Sequence, residues 1–164
     1  MDPGLLKRHL PGADPLSRPL WADHPLWFGG RSRRWPGGVA FLGLRPGGRP
    51  TRCRAYAVDR DDLTRILCSE NRVSAELPDL TGLGVGEHLS ADLPLSADGT
   101  IGKYDAVLRL PDLDGRPVFT VTTSRALEPR PPAPAYAAAI EQALVPDLGA
   151  DRAAEYLRQR FPTL

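Results

Sequence analysis

The sequence predicts an α+β domain in which a small, mainly antiparallel β-barrel is flanked by helices. The first observation is that 18 prolines and 16 glycines occupy about a fifth of the 164 positions, against an average of about 12%. This composition excludes a helical bundle and favours many short elements. The second is that predicted strands outnumber the crossovers that a parallel sheet would need. At this length we expect one domain over residues 1–164 with a single core.

The first predicted helix lies at the start of the chain. Asp2 is a suitable N-cap, Pro3 stands at the first helical position, and leucines follow at helical spacing up to residue 10. Residues 11–23 resemble a proline-rich connection, after which the hydrophobic period changes. Short apolar runs bounded by Gly or Pro then predict three strands, over residues 26–28, 39–44 and 51–59.

A helix N-terminal signature follows the third strand. Asp59 is the predicted N-cap, and Asp62 stands in the capping-box position. We expect this helix to end at about Glu70, with Asn71 as a left-handed C-terminal residue. Its apolar residues form one stripe at i, i+3 and i+4, and the next member of the stripe is Glu70. The apolar members are Leu63, Ile66 and Leu67.

A third group of strands and two helices complete the chain. A modest strand is predicted over residues 87–95, after a glycine-rich loop. Asp114-Gly115 is the strongest hairpin signal in the chain and predicts a turn between two strands. A proline-rich linker leads into the first of the two helices, and the second begins at Asp151. The predicted hairpin strands cover 106–110 and 117–122, and the first helix covers 135–145.

Charge and hydropathy limit the classes of partner. The net charge of +1 provides no global field for nucleic acid or an acidic membrane surface. Arg31, Arg33 and Arg34 beside aromatic residues leave a nucleic-acid surface as the less favoured alternative. No run of 18 apolar residues occurs, so we expect a cytoplasmic protein without a membrane partner. The sequence does not indicate an oligomeric state.

Neither cysteines nor histidines indicate a metal or a cofactor. Cys53 and Cys68 stand in no ligand spacing and are expected to be reduced, partly buried thiols. The histidines are scattered, and the sequence contains no glycine-rich phosphate loop, nucleophile elbow or Cys-His pairing. We therefore expect no metal site and no cofactor.

Glu70 is the most informative candidate for chemistry. Its place on the apolar stripe directs it toward the sheet interior, at the end of a helix whose dipole disfavours negative charge. Burial and the dipole both favour the protonated carboxyl, which suits it to proton transfer near neutral pH. The alternative is that the helix frays one residue early and that Glu70 is solvated.

Gly37 and Gly38 stand just before the second predicted strand. Paired glycines let a ligand or another backbone approach closely. The alternative is an ordinary turn that leads into the strand.

Five segments of the sequence occur in a characteristic order. They are RWPGGVA at 34–40, RAYAV at 54–58, the helix 61–71 ending in SEN, DGRPV at 114–118 and PPAPAY at 131–136. This order resembles the gamma-glutamylcyclotransferase-like family, over about residue 20 to the C-terminus. The resemblance implies a small β-barrel around a cavity, with a glutamate acid/base that matches Glu70. Gly37, Gly38 and Tyr136 are then candidate substrate-binding residues, with core packing as the alternative for Tyr136.

The resemblance also implies a reaction and a small-molecule γ-glutamyl substrate, either an amine or a dipeptide. The α-amine of the substrate attacks its own γ-glutamyl carbonyl, which expels an amine or amino acid and leaves 5-oxoproline. The enzyme then supplies a base, hydrogen-bond donors for the oxyanion, and a pocket that folds the substrate on itself. No enzyme nucleophile is required.

The sequence departs from the family at one motif. Family members begin with a strand and a Tyr-Gly-Ser-Asn loop whose backbone donors hold the substrate, and this motif does not occur here. We expect the first strand of the domain to be missing. Either the sequence begins after that motif, or the chain is a catalytically impaired module of the same fold that binds small molecules or has a regulatory role.

Overall fold

The computed structural model describes residues 16–32 and 34–161, and this part of the chain contains seven strands and three helices. The α+β class is confirmed, while the helix predicted over residues 2–10 lies outside the described residues. The strands are β1 Ser17–Ala22, β2 Leu26–Gly29, β3 Val39–Leu42, β4 Thr51–Tyr56, β5 His88–Ser90, β6 Ala106–Leu113 and β7 Arg116–Thr122. The helices are α1 Arg60–Asn71, α2 Pro134–Leu148 and α3 Ala150–Arg160.

The strands pair antiparallel in three small sheets within the described residues. β1 pairs with β4, β2 pairs with β3, and β5, β6 and β7 form the third sheet. A side-chain hydrogen bond connects two of these sheets, because the buried Thr122 hydroxyl in β7 donates to the Leu42 carbonyl oxygen in β3 at 2.5 Å. The sheets therefore contact one another through side chains as well as through apolar packing.

β1 corrects the prediction that residues 11–23 are a connection. Its six residues pair with β4, and Pro19 stands opposite Arg54 in that register. Proline has no N–H to donate, so it is tolerated in a strand only at an edge or an irregular position. Pro19 thus obscured the strand pattern without preventing the pairing.

The predicted hairpin is confirmed, and β5 is shorter than expected. Asp114 and Gly115 both have positive φ, at 51° and 71°, as a two-residue hairpin turn requires. β5 covers only His88–Ser90 of the strand predicted over residues 87–95. Asp92 and Pro94 explain the early end, because both residue types are poor strand formers and proline cannot donate to a ladder.

α1 begins at the predicted cap and ends one residue later than predicted. The Asp59 side chain accepts a hydrogen bond from the Asp62 backbone N–H at 2.7 Å. The left-handed C-cap is Arg72, with φ 56° and ψ 43°, so the assignment of that conformation to Asn71 was wrong. Asn71 is instead the last helical residue, because its side chain has buried partners.

The Asn71 amide joins the end of α1 to the segment before β6. Its Nδ2 donates to the Leu67 and Tyr104 carbonyl oxygens, each at 2.9 Å. The Tyr104 backbone N–H donates back to Asn71 Oδ1 at 2.9 Å. Gly102 permits this contact, because a Cβ there would lie 2.5 Å from Asn71 Oδ1. The asparagine is 1% exposed, so no water replaces these bonds.

α2 continues past the predicted end. The sequence predicts that this helix stops at Val145, before Pro146, but it extends to Leu148. The added turn is held from two sides: Asp147 forms an ion pair with Arg54 of β4, and Leu148 packs against the α2–α3 core. Tertiary contacts therefore outweigh the local helix-breaking effect of proline.

Replacement of Asn71 by alanine is expected to lower the free energy of unfolding by about 3 kcal/mol. Three hydrogen bonds are lost, one buried and two partly buried, at about 1 kcal/mol each, and the backbone groups of Tyr104 lose their partner. Urea unfolding measures the change, with Ser90→Ala in the exposed part of β5 as the control. An Asn71→Ala protein as stable as the wild type would show that the hydrogen bonds of Asn71 do not stabilise the fold.

Candidate functional site

A cavity of about 290 Å³ lies where the three sheets meet the three helices. Every sheet and every helix contributes to its lining, which is mainly apolar. Two groups of polar side chains interrupt the apolar wall. They include residues from opposite ends of α2, Tyr136 in its first turn and Asp147 in its last. Apolar lining residues include Leu20, Leu26, Phe41, Ile66, Leu110 and Ile140.

Glu70 belongs to the first polar group. It lies in the last turn of α1, is half-buried and lines the cavity. Ile66, one turn earlier on the same helix face, packs against Tyr56 and Val58 at the end of β4. The helical stripe thus continues into the cavity wall, where an apolar side chain is followed by a carboxylate.

Tyr104 lines the same cavity as Glu70 and was missed by the sequence reasoning. Deep burial raises the pKa of Tyr104 well above its ordinary range, and the electrostatic effects of Tyr136 and Glu70 raise it further. The hydroxyl therefore remains a hydrogen-bond donor at alkaline pH values where an ordinary phenol would ionise. It lies 3.5 Å from the Ala40 carbonyl oxygen, a long contact that a ligand oxygen can replace. Tyr104 stands outside any strand or helix, so no periodic pattern marked it.

Tyr136 lies in the first turn of α2 and is held by aromatic neighbours. Its ring stacks on Trp35 with 6.4 Å between centroids and 9° between planes. Phe28 meets it edge-on at 5.9 Å. The Arg34 guanidinium lies 5.0 Å from the Trp35 ring centroid, so that indole already contacts side chains of its own chain. These contacts fix Tyr136 in the cavity lining.

Gly37 and Gly38 lie outside the cavity lining, against the chain's own backbone. A Cβ on Gly37 would lie 2.5 Å from the Ala133 backbone nitrogen, and one on Gly38 would overlap the Arg130 carbonyl oxygen. The Gly38 N–H donates to the Pro131 carbonyl oxygen at 2.9 Å. Of the four residues expected at the site, the cavity thus brings together Glu70 and Tyr136.

The second polar group was also missed by the sequence reasoning. Arg52 and Arg54 alternate on β4 with Cys53 between them, and Arg54 forms an ion pair with Asp147. Arg52 Nε lies 3.8 Å from Asp147 Oδ2, and its backbone N–H donates to the Tyr156 hydroxyl at 2.8 Å. A period of two along residues 52–56 was the available signal, because it places both arginines on the face that carries Tyr56.

The cysteines, the potential metal ligands and the helix lengths are further features of the described residues. Cys53 and Cys68 are free, and burial raises the pKa of the Cys53 thiol in the cavity wall. Within residues 16–32 and 34–161, no group of three or more His, Cys, Asp or Glu side chains is placed to hold a metal ion. No helix in that part of the chain is both long and apolar enough to cross a membrane.

The fold and the site were compared with known proteins. No family model, curated protein or solved structure matches this chain. The geometry and chemistry of the cavity therefore provide the basis for a functional assignment.

Gly38→Ala is expected to lower the free energy of unfolding by about 3 kcal/mol, because the new Cβ meets a backbone carbonyl that cannot move freely. The control is Gly82→Ala, where no described atom lies within 4 Å and only the positive φ of 80° opposes the change. We expect a loss of about 1 kcal/mol there. Equal losses in urea unfolding would show that the close packing of Gly38 is not important.

Tyr104 is expected to make stability depend on pH at alkaline values. Its folded-state pKa lies well above the ordinary value of 10.0, so above about pH 10 the unfolded chain releases a proton that the folded chain keeps. The free energy of unfolding should then fall by about 1.4 kcal/mol per pH unit for this group, until its folded-state pKa is reached. Urea unfolding across this range should give a shallower decline for Tyr104→Phe. The same decline in both proteins would contradict the assignment.

Proposed function

We propose that the chain is a gamma-glutamylcyclotransferase that releases 5-oxoproline from a γ-glutamyl compound, with Glu70 as general acid and base. The observation that carries this proposal is the shared position of Glu70, Tyr104 and Tyr136 in the wall of a mainly apolar cavity. A carboxylate beside two hydroxyls provides both a proton acceptor and hydrogen-bond donors. The order of the five sequence segments that resemble the family supports the same function.

The proposed reaction is balanced within the substrate and Glu70. The carboxylate takes a proton from the substrate α-ammonium, and the resulting amine attacks the γ-carbonyl carbon. A new C–N bond forms as the carbonyl π electrons move to oxygen. Glu70 gives this proton to the leaving amide nitrogen and takes the second proton from the newly bonded ring nitrogen. When the electrons return from oxygen, the original amide C–N bond breaks, and Glu70 passes the second proton to the released amine, which departs as an ammonium ion. The products are 5-oxoproline and a free amine or amino acid, so no further reactant is needed.

The two tyrosines are assigned to the developing oxyanion and to substrate orientation. Tyr104 is the stronger candidate for the oxyanion, because its hydroxyl makes a long contact of 3.5 Å to the Ala40 carbonyl oxygen that a developing oxyanion can replace. Tyr136 lines the cavity from α2, and its stacking on Trp35 limits the motion of its ring. The apolar walls hold the substrate close to its cyclisation geometry, which favours attack by its own amine over attack by water.

We also propose that the three sheets act as the walls of one barrel-like enclosure. Each sheet contributes residues to the same cavity lining. The hydrogen bond from Thr122 to Leu42 connects β7 to β3, and the Gly30 N–H donates to the Glu128 carbonyl oxygen beside β2. These contacts support an enclosure built partly from ladder pairing and partly from side-chain and loop contacts.

Glu70→Gln is expected to lower kcat for 5-oxoproline release by about 10²- to 10⁴-fold, because glutamine cannot accept or return the proton. The matched control is Glu76→Gln, an exposed residue just after α1 that does not line the cavity. Activity is measured with a γ-glutamyl dipeptide and a γ-glutamyl amine, together with the melting temperature of each variant. Unchanged turnover by Glu70→Gln would reject the mechanism. Stabilisation of the wild type by these compounds without turnover would support a non-catalytic binding module instead.

A further inference from the structure

Arg52 and Arg54 present two guanidinium groups to one carboxylate at the α2 C-terminal end of the cavity. Asp147 forms an ion pair with both, and its side chain is 10% exposed while that of Arg52 is 12% exposed. Two cations and one anion leave an excess positive charge in a largely buried group. A buried charge of this kind needs a compensating partner.

The Arg52 side chain has unused donor capacity. Its Nε is buried and has no hydrogen-bond acceptor among the described residues, and the Asp147 oxygen at 3.8 Å is beyond hydrogen-bond distance. The Arg52 guanidinium also lies 5.3 Å from the Trp21 ring centroid. An arginine beside an aromatic ring, with a buried Nε that has no acceptor, in the wall of a cavity, is suited to bind a carboxylate.

The basic group and the reactive group are separated along α2. Tyr136 and Asp147 are eleven residues apart in the helix, which corresponds to about 16 Å between their Cα atoms. Ile140 and Leu144 line the cavity between them. Because both groups line the same cavity, one ligand with a reacting end and a separate charged end can contact both.

We propose that Arg52 and Arg54 bind the carboxylate of the amino acid that leaves, so that the preferred substrates are γ-glutamyl amino acids and not γ-glutamyl amines. This inference rests on the proposed function, because Glu70 defines the reacting end. The α-carboxylate of the glutamyl group shares a carbon with the attacking amine and stays near Glu70. The carboxylate of the leaving residue is the one that extends toward the arginines.

The test uses two compounds that differ by one carboxylate, γ-glutamyl-alanine and γ-glutamyl-ethylamine. The wild type is expected to convert the dipeptide with a kcat/KM about 10- to 100-fold higher, as a charge-assisted hydrogen bond predicts. Arg52→Gln and Arg54→Gln should remove this preference mainly by raising KM for the dipeptide. Arg65→Gln is the control, because Arg65 is an exposed ion-pair residue on α1 outside the cavity. Equal kcat/KM values for both compounds in the wild type would overturn the inference while leaving the proposed function intact.

Asp147→Asn leaves both arginines in place and is expected to change KM for γ-glutamyl-alanine in the opposite direction. Loss of the internal carboxylate frees both guanidinium groups, so we expect a lower KM for γ-glutamyl-alanine and no gain for γ-glutamyl-ethylamine. A purely structural ion pair predicts an equal effect on both compounds, and that result would overturn the inference. Arg54→Lys keeps the charge without the planar fork and should retain only part of the preference.

Binding measurements separate failure of this inference from failure of the proposed function. If the wild type converts neither compound, the proposed function fails, and the carboxylate site is then tested by the shift in melting temperature that each compound causes. Greater stabilisation by γ-glutamyl-alanine, lost in Arg52→Gln, would support the site. Equal stabilisation by both compounds, or none, would overturn it.

Discussion

The side-chain amide of Asn71 joins the end of α1 to the segment that carries Tyr104, and the geometry of the site depends on this junction. The Asn71 side chain is buried and makes three direct hydrogen bonds, so the two backbone segments have one preferred arrangement. Glu70 precedes Asn71 in the chain, and Tyr104 is the residue that Asn71 holds. Asn71 thus fixes the two backbone segments from which Glu70 and Tyr104 enter the cavity lining, although Asn71 has no proposed role in the chemistry itself.

The cavity combines an apolar wall with polar groups at separate places, and this arrangement determines the electrostatics. Burial disfavours the ionised form of Tyr104, which lines the cavity together with Glu70. At the other group, Asp147 partly neutralises Arg52 and Arg54 and connects β4 to α2. Burial of either polar group costs free energy unless the group has a partner, and a ligand of complementary charge can be that partner. The proposed γ-glutamyl amino acid substrate, a zwitterion with an additional carboxylate, has charges complementary to these groups.

The sequence predicts the features that depend on local rules and misses those that depend on tertiary contacts. The Asp59 cap and the Asp114-Gly115 turn follow from side-chain capping and from positive φ, which are local properties. The stripe on α1 also predicts the face on which Glu70 lies. Pro19 concealed β1, and Pro146 suggested an end to α2 that the ion pair of Asp147 prevents. Tyr104, Arg52 and Arg54 become site residues only when sheets and helices meet around the cavity, so no single segment of sequence marks them.

The most direct measurement of the central claim is an NMR time course of γ-glutamyl-alanine with the purified chain. The account predicts that 5-oxoproline and alanine appear in equal amounts, because the substrate amine displaces the leaving amino acid in one balanced reaction. The appearance of glutamate and alanine would show hydrolysis by water and would contradict intramolecular attack. A substrate that remains unchanged would contradict the assignment of Glu70, Tyr104 and Tyr136 as a cyclotransferase site.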